Sequence, residues 1–519
     1  MNIEIYLDAN ATSPVLPAAI GAAQAALRQC FGNPSSSHAA GLRARTLLDD
    51  ARSRARRVLG AQEGRLIFTS GATEGIQTAV LSSLCALRER RAAGLPCGDL
   101  LLYGATEHKA VPESLAHWNA LLGTGLTLQA LPVDAGGRHR LDVLRDLAPR
   151  AALLCTMAAN NETGVVSDLD GIAAVLEETG SAALWLVDCV QALGKLPLEL
   201  SKTRIDYAPF SGHKLYAPKG IGMLYVREGA PYTPLLCGGG QEAGQRSGTE
   251  NMAGIAALDA VLRALEEGGT FRSHAQLLAM RERLAASLCA AFPGIVFNAP
   301  FEHALPTTLN FTVPGRSGKA LLDLFDAAGI RVSAGSACSA AQAAPSYVLV
   351  AMGLSRERCA NAVRMSFGPL ADEAFIDAAC ARIERCGQAL LAPPRAACPM
   401  TGSGTAPALP SPAGPAAAPC ALDAQALARF LDAHPNALLI DVRESCEHAL
   451  GTPRLHGRAA YSLPLSRLPE HAAWLGRETR PLVFFCRSGN RSAQAARIAG
   501  ELGHATVRHL AGGLALMAS

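Results

Sequence analysis

At 519 residues the chain exceeds what one hydrophobic core usually supports, and its 49% hydrophobic and 18% charged composition predicts two or three soluble globular domains. A net charge of +3 over that length gives no reason to invoke nucleic acid or an anionic membrane as partner. No run of about 18 apolar residues predicts a membrane span, and no basic segment followed by an apolar stretch opens the chain, so the expectation is a cytoplasmic protein. Its 15 cysteines then read as reduced thiols, and none forms the C-x-x-C pair of a structural zinc site, so no metal is expected.

Short apolar runs at Arg65 to Thr69, Leu100 to Tyr103, Ala151 to Thr156, Ala183 to Val187, Tyr207 to Phe210 and Gly222 to Val226 alternate with helical patterns. Continuous apolar strands between amphipathic helices predict an α/β domain whose largely parallel sheet is covered on both faces. Ligands bind such sheets at the carboxyl ends of the strands. Four of these ends carry polar motifs.

The first, Ser70-Gly71-Ala72-Thr73-Glu74-Gly75, precedes a helical pattern whose free N–H groups suit a phosphate, although an ordinary N-cap has the same residues. The second end supplies Glu107-His108-Lys109, and a later one Asp188-Cys189-Val190-Gln191. A carboxylate ending a buried strand either caps the next helix or meets a cation, and a protonated pyridine nitrogen is such a cation. Gln191 is expected one helical turn on, within reach of a ring hydroxyl, and His108 over the ring face. Ser211-Gly212-His213-Lys214 closes the set. The chain holds six lysines against 41 arginines, and only a lysine can lose its proton to hold an aldehyde cofactor as a Schiff base. Lys214 alone among the six follows a buried strand and adjoins a hydroxyl, a glycine and an imidazole.

Further along, Ser333-Ala334-Gly335-Ser336-Ala337-Cys338-Ser339-Ala340-Ala341 offers one thiol among small residues with no core to join, and reads as a mobile loop. Residues 392–420 are rich in Pro and Ala and read as a linker. After it, Phe484-Phe485-Cys486-Arg487-Ser488-Gly489-Asn490-Arg491 places a thiol on the floor of an anion cradle between a strand and a helix start. The Cys-x4-Arg spacing fits a persulfide, whereas Cys-x5-Arg surrounds the larger phosphate.

Seven ordered segments carry a resemblance: Tyr6-Leu7-Asp8-Ala9-Asn10-Ala11-Thr12, Gly32 to His38, Ser70 to Glu74, Thr106 to Val111, Asn160-Asn161-Glu162-Thr163-Gly164, Ser211 to Lys214 and Arg246 to Asn251. Residues 1–391 resemble a group I cysteine desulfurase of the NifS/IscS type, a homodimeric fold-type I enzyme dependent on pyridoxal 5'-phosphate. The resemblance implies a large domain at about 20–260 with a mostly parallel sheet, and a small α/β domain from about 1–19 and 261–391. It implies Lys214 as the imine-forming lysine, Asp188 at the pyridine nitrogen, Gln191 at the ring oxygen, and Thr73, Ser211 and His213 at the phosphate, with Ala72 also binding the cofactor. Thr249 then serves the phosphate of the partner subunit, Asn161 helps near the cofactor, and Arg364 binds the L-cysteine carboxylate. The catalytic set becomes Lys214, His108, Cys338 and Cys486.

The Cys338 loop is similar to the S-G-S-A-C-x-S segment of that group, with Ala334 replacing the first glycine. Residues 421–519 resemble a single α/β rhodanese domain, supported by Leu438 to Glu444 and by Leu510-Ala511-Gly512-Gly513, with Gly451 to Ala459 departing from the usual G-H-I-P-G-A stretch. The two resemblances together imply a relay: L-cysteine leaves a persulfide on Cys338, Cys486 receives the sulfur, and a protein or small molecule accepts it for iron–sulfur cluster assembly or thiolation. Selenocysteine lyase activity and a rhodanese module that only docks are the alternatives.

Overall fold

The computed structural model describes residues 4–334, 345–392 and 420–517. Cys338 and nearly all of the predicted linker lie outside the described residues. Strand β1 (Ile5–Tyr6) precedes a seven-stranded sheet of β2 (Arg65–Thr69), β3 (Leu100–Gly104), β4 (Thr127–Leu131), β5 (Ala151–Met157), β6 (Leu184–Asp188), β7 (Tyr207–Ser211) and β8 (Gly222–Val226), in the order β2-β8-β7-β6-β5-β3-β4. Every residue of β5 is buried, which is why it reads as an unbroken apolar run.

The sheet is largely parallel, as expected, with one strand reversed. β8 pairs antiparallel with both β7 and β2. The connection 212–221 is too short for a crossover helix, so the chain must turn back on itself. This brings the start of β8 to the edge where the parallel strands end, beside the Ser70–Gly71 turn. A Cβ at Gly222 would lie 2.7 Å from Gly71 Cα, so only glycine admits this approach.

A second body is built on the antiparallel sheet β12 (Ser333–Ala334), β13 (Val363–Ser366), β10 (Thr308–Thr312) and β9 (Val296–Phe297), with β11 (Ile330–Arg331) pairing parallel to β1. Helices His274–Ala291, Gly318–Ala327 and Glu373–Leu391 bury Leu284, Phe325 and Ile383 against Phe311 of this sheet.

The C-terminal body is a five-stranded parallel sheet in the order β14 (Cys420–Leu422), β18 (Val507–Leu510), β17 (Leu482–Phe485), β15 (Leu438–Asp441) and β16 (Tyr461–Ser462). Alternate residues of β15 and β17 feed separate cores: Leu438, Ile440 and Phe484 on one face, Leu439, Val483 and Phe485 on the other. Helix Ser445–Ala449 brings this body onto the second one, where Cys446 and Leu450 pack on its core and Arg385 donates to the Leu450 carbonyl at 3.5 Å. Among the described residues, no helix is long and apolar enough to cross a membrane.

Candidate active site

The strand ends enclose a cleft of about 450 Å³ lined by Ala72, Thr73, His108, Asn161, Asp188, Gln191, Ser211, His213, Lys214 and Arg364. Thr249 stands apart, exposed on a smaller neighbouring cleft that shares Ser70 and Gly220 with the first. Gly71 caps helix Ala72–Ala92, and the Ser70 N–H donates to Glu74 at 2.8 Å, which in turn takes Arg246 at 2.9 Å. Lys214 lies just past the end of β7 and donates from Nζ to the Asn10 and Ala11 carbonyls, each at 2.7 Å. Gln191 lies in a run of turns, where a helical turn was expected, and donates to the Asn10 carbonyl at 3.1 Å. Asp188 is buried and accepts the Val190 N–H at 2.9 Å, closing a turn and capping no helix.

Burial sets most of the charges. It raises the Asp188 carboxyl above its ordinary range, opposed by the Val190 N–H and by His108 and Lys214. It lowers His108, with Asp188 pulling the other way, and brings His213 down to about 4, helped by Lys214 and Lys219. A neutral imidazole at His108 can accept a proton near neutral pH. Arg364, on β13 and 1% exposed, donates from Nη2 to Asp8 at 2.7 Å and from Nη1 to the Asn161 carbonyl at 3.0 Å.

The second thiol site lies in the C-terminal body. Cys486 follows β17, and its sulfur accepts the N–H groups of Gly489 at 3.2 Å and Ser492 at 3.4 Å. Gly489 has φ +91°, and a Cβ there would meet the Gly512 nitrogen at 2.8 Å. The Gly512-Gly513 pair thus packs directly on the loop. Arg491 is held in a two-pronged ion pair by Glu447 at 2.5 and 3.0 Å, while Ser488 and Asn490 are exposed.

Residues 5–378 match the class-V aminotransferase family and residues 423–518 the rhodanese-like domain family. The cysteine desulfurase of Gluconacetobacter diazotrophicus is 39% identical over 375 residues, covering 72% of this chain and 90% of that protein. A solved NifS-like protein superposes with a TM-score of 0.64 at 32% identity, covering 74% of this chain and 98% of its own. SspA, solved in complex with cysteine, superposes at 0.60 with 27% identity, covering 71% and 100%. The chain belongs to the class-V aminotransferase family, among the cysteine desulfurases.

A cysteine desulfurase of this family uses pyridoxal phosphate, and the cleft fits that group. The buried Asn161 Oδ1 and Arg364 Nε have no partner among the described residues, a costly condition for polar atoms unless a ligand meets them. Buried Asp188 and the amine of Lys214 supply a carboxylate and a nucleophile in the same space.

Several residues of the desulfurase site escape the sequence reading. Asp8 and Asn10 belong to the Tyr6 to Thr12 segment, which marks the family without revealing that Asp8 pairs with Arg364 and also accepts Ser333 Oγ at 2.7 Å. Lys195 is buried, brought down to about 7 mainly by desolvation, and donates to Gln191 Oε1 at 2.5 Å, fixing that amide. Glu162 is buried against Ser346, which donates to it at 2.6 Å, and burial raises its carboxyl to about 7. A raised carboxyl keeps its proton in the folded chain where the unfolded chain has lost it. Stability therefore falls as pH rises from the ordinary glutamate value towards 7, by about 2 to 3 kcal/mol at most. Thermal unfolding of Glu162→Gln between pH 4.5 and 7.5 is expected to lose that slope; an unchanged slope removes Glu162 as its source.

Proposed function

We propose that residues 1–391 convert L-cysteine to L-alanine, leaving its sulfur as a persulfide on Cys338, and that residues 421–519, joined through a 392–420 linker, receive that sulfur on Cys486. The observation that carries the reading is one cleft lined by Lys214, Asp188, Gln191, His213 and Arg364 in a chain that also holds the Cys486 loop. Pyridoxal phosphate supplies an electron-withdrawing ring that stabilises negative charge next to the amino group. Lys214 binds it and moves the proton at the substrate α-carbon. Asp188 holds the ring nitrogen and Gln191 the ring oxygen, while Thr73, Ser211 and His213 hold the phosphate beside the start of helix Ala72–Ala92. His108 takes a proton in its neutral form and returns it from the charged one. Arg364 binds the substrate carboxylate with its planar fork, in place of or beside Asp8.

In the first transfer the Cys338 thiolate attacks the substrate sulfur, an S–S bond forms as the substrate Cβ–S bond breaks, and the carbon keeps the electron pair, takes a proton and leaves as L-alanine. In the second, the Cys486 thiolate attacks the outer sulfur of that persulfide, a new S–S bond forms as the old one breaks, and Cys338 departs as thiolate. The linker raises the effective concentration of the receiving thiol. The unit is a cytoplasmic homodimer in which Thr249 reaches the partner subunit's phosphate site, supported by its place on a cleft contiguous with the main one. The acceptor beyond Cys486 is an iron–sulfur or thiolation pathway protein, or a small molecule.

Brief exposure to sulfur-labelled L-cysteine is expected to label the peptides of both Cys338 and Cys486, and Cys486→Ala to remove the second label with alanine release intact. Cys486 is 1% exposed, which favours a second reading in which the module only docks. An unlabelled Cys486 peptide in the unaltered chain decides for docking.

A further inference from the structure

The arginines of the Cys486 loop face the second body. Arg487 Nη1 lies 3.2 Å from Asp323 Oδ1 and its Nε 2.8 Å from Asp326 Oδ2, while Arg491 Nη2 lies 3.5 Å from Asp323 Oδ2. Both aspartates project from helix Gly318–Ala327, one turn apart, and Lys319 of the same helix also reaches Asp323 at 2.9 Å. Asp323 is 9% exposed and Cys486 1%. Packing of helix Ser445–Ala449 beside this contact brings in Glu447, whose carboxylate holds the rest of Arg491.

In a sulfur-carrying loop of this shape, arginines beside the thiol are what an anionic donor must engage. Here those arginines already hold three carboxylates, two of them from a different part of the chain. An incoming dianion meets like charge where it needs cations, and its own binding must break three interdomain ion pairs.

We infer that Asp323 and Asp326 act as a built-in anion that occupies the arginines of the Cys486 loop, making the docked rhodanese module selective against small free sulfur anions such as thiosulfate. The inference rests on Cys486 being a sulfur carrier, as proposed above. Loading from a Cys338 persulfide escapes the block, because that sulfur arrives on a protein thiol and brings no free dianion whose sulfonate the cradle must house. The reaction being suppressed is balanced and simple. Cys486 thiolate attacks the outer sulfur of thiosulfate, the S–S bond to the sulfonate breaks, and sulfite leaves with the electron pair. Cyanide then takes the outer sulfur as thiocyanate and returns the thiolate.

The test uses the full-length holoenzyme and the variant Asp323→Asn/Asp326→Asn, which keeps side-chain shape and removes both charges. Thiocyanate formation from thiosulfate and cyanide is measured beside alanine release from L-cysteine. The variant is expected to show a KM for thiosulfate lower by about tenfold or more, with alanine release within twofold of the unaltered chain. Turnover in both proteins with the same KM overturns the shield while leaving Cys486 a sulfur carrier. No turnover in either protein overturns the shield, and if Cys486 also stays unlabelled by L-cysteine, the relay falls with it. Asp323→Glu/Asp326→Glu, which restores charge, is expected to return KM to the unaltered value; failure to do so ascribes the change to packing and overturns the role of charge.

Discussion

Lys214→Ala is expected to lower L-cysteine desulfuration by on the order of 10⁴-fold and to abolish the absorbance of bound cofactor. The side chain contributes an amine, and its Nζ lies 2.7 Å from the backbone carbonyls of both Asn10 and Ala11. Lys195 also reaches Asn10, but its amine is committed to Gln191 at 2.5 Å and to the Asn10 side chain at 3.4 Å. Losing the two carbonyl contacts costs about 1 to 3 kcal/mol of stability, so the variant folds and its melting temperature separates this loss from the catalytic one. Lys214→Arg sharpens the result. It retains a donor for Asn10 and Ala11 yet cannot shed its proton, so activity at the level of the alanine variant assigns the effect to amine chemistry. Residual turnover above about 1% of the unaltered enzyme would move that chemistry to another residue.

The strand-end motifs were legible because a strand buried on both faces leaves a near-continuous apolar run, and the polar residues that end it stand out. Asp188, Ser211 and Lys214 sit at or just past the ends of such runs, and the cleft gathers them with Thr73, His108 and Asn161. What stayed hidden is long-range. Asp8 and Arg364 are 356 residues apart, and neither side chain looks unusual in its own segment. Asp323 and Lys319 have the spacing of an ordinary surface pair on a helix, so nothing local marks Asp323 as the partner of Arg487. The direction of β8 was hidden for another reason. Gly222 to Val226 is equally apolar whichever way it runs, and only the length of the preceding connection decides.

Cys338→Ser is expected to keep the cofactor absorbance and the binding of L-cysteine while lowering sulfide release, measured with a thiol reductant, by about 10³-fold or more. A hydroxyl at that position has no accessible anion near neutral pH, whereas a thiol does. The groups proposed to place substrate are untouched: Arg364 keeps Asp8 and the Asn161 carbonyl, Ser333 stays on Asp8, and Ser346 stays on Glu162. Other buried thiols of residues 1–391 cannot stand in. Burial raises Cys155 and Cys189 well above their ordinary range, with Glu107 and Asp188 adding to it respectively, so both stay protonated. Cys359, 4% exposed, is raised by burial as well. Undiminished sulfide release from the serine variant would therefore require an acceptor outside these three. Coupled to loss of the Cys338 label, loss of the Cys486 label in the same variant orders the two thiols, because a module that took sulfur directly from L-cysteine would still be labelled.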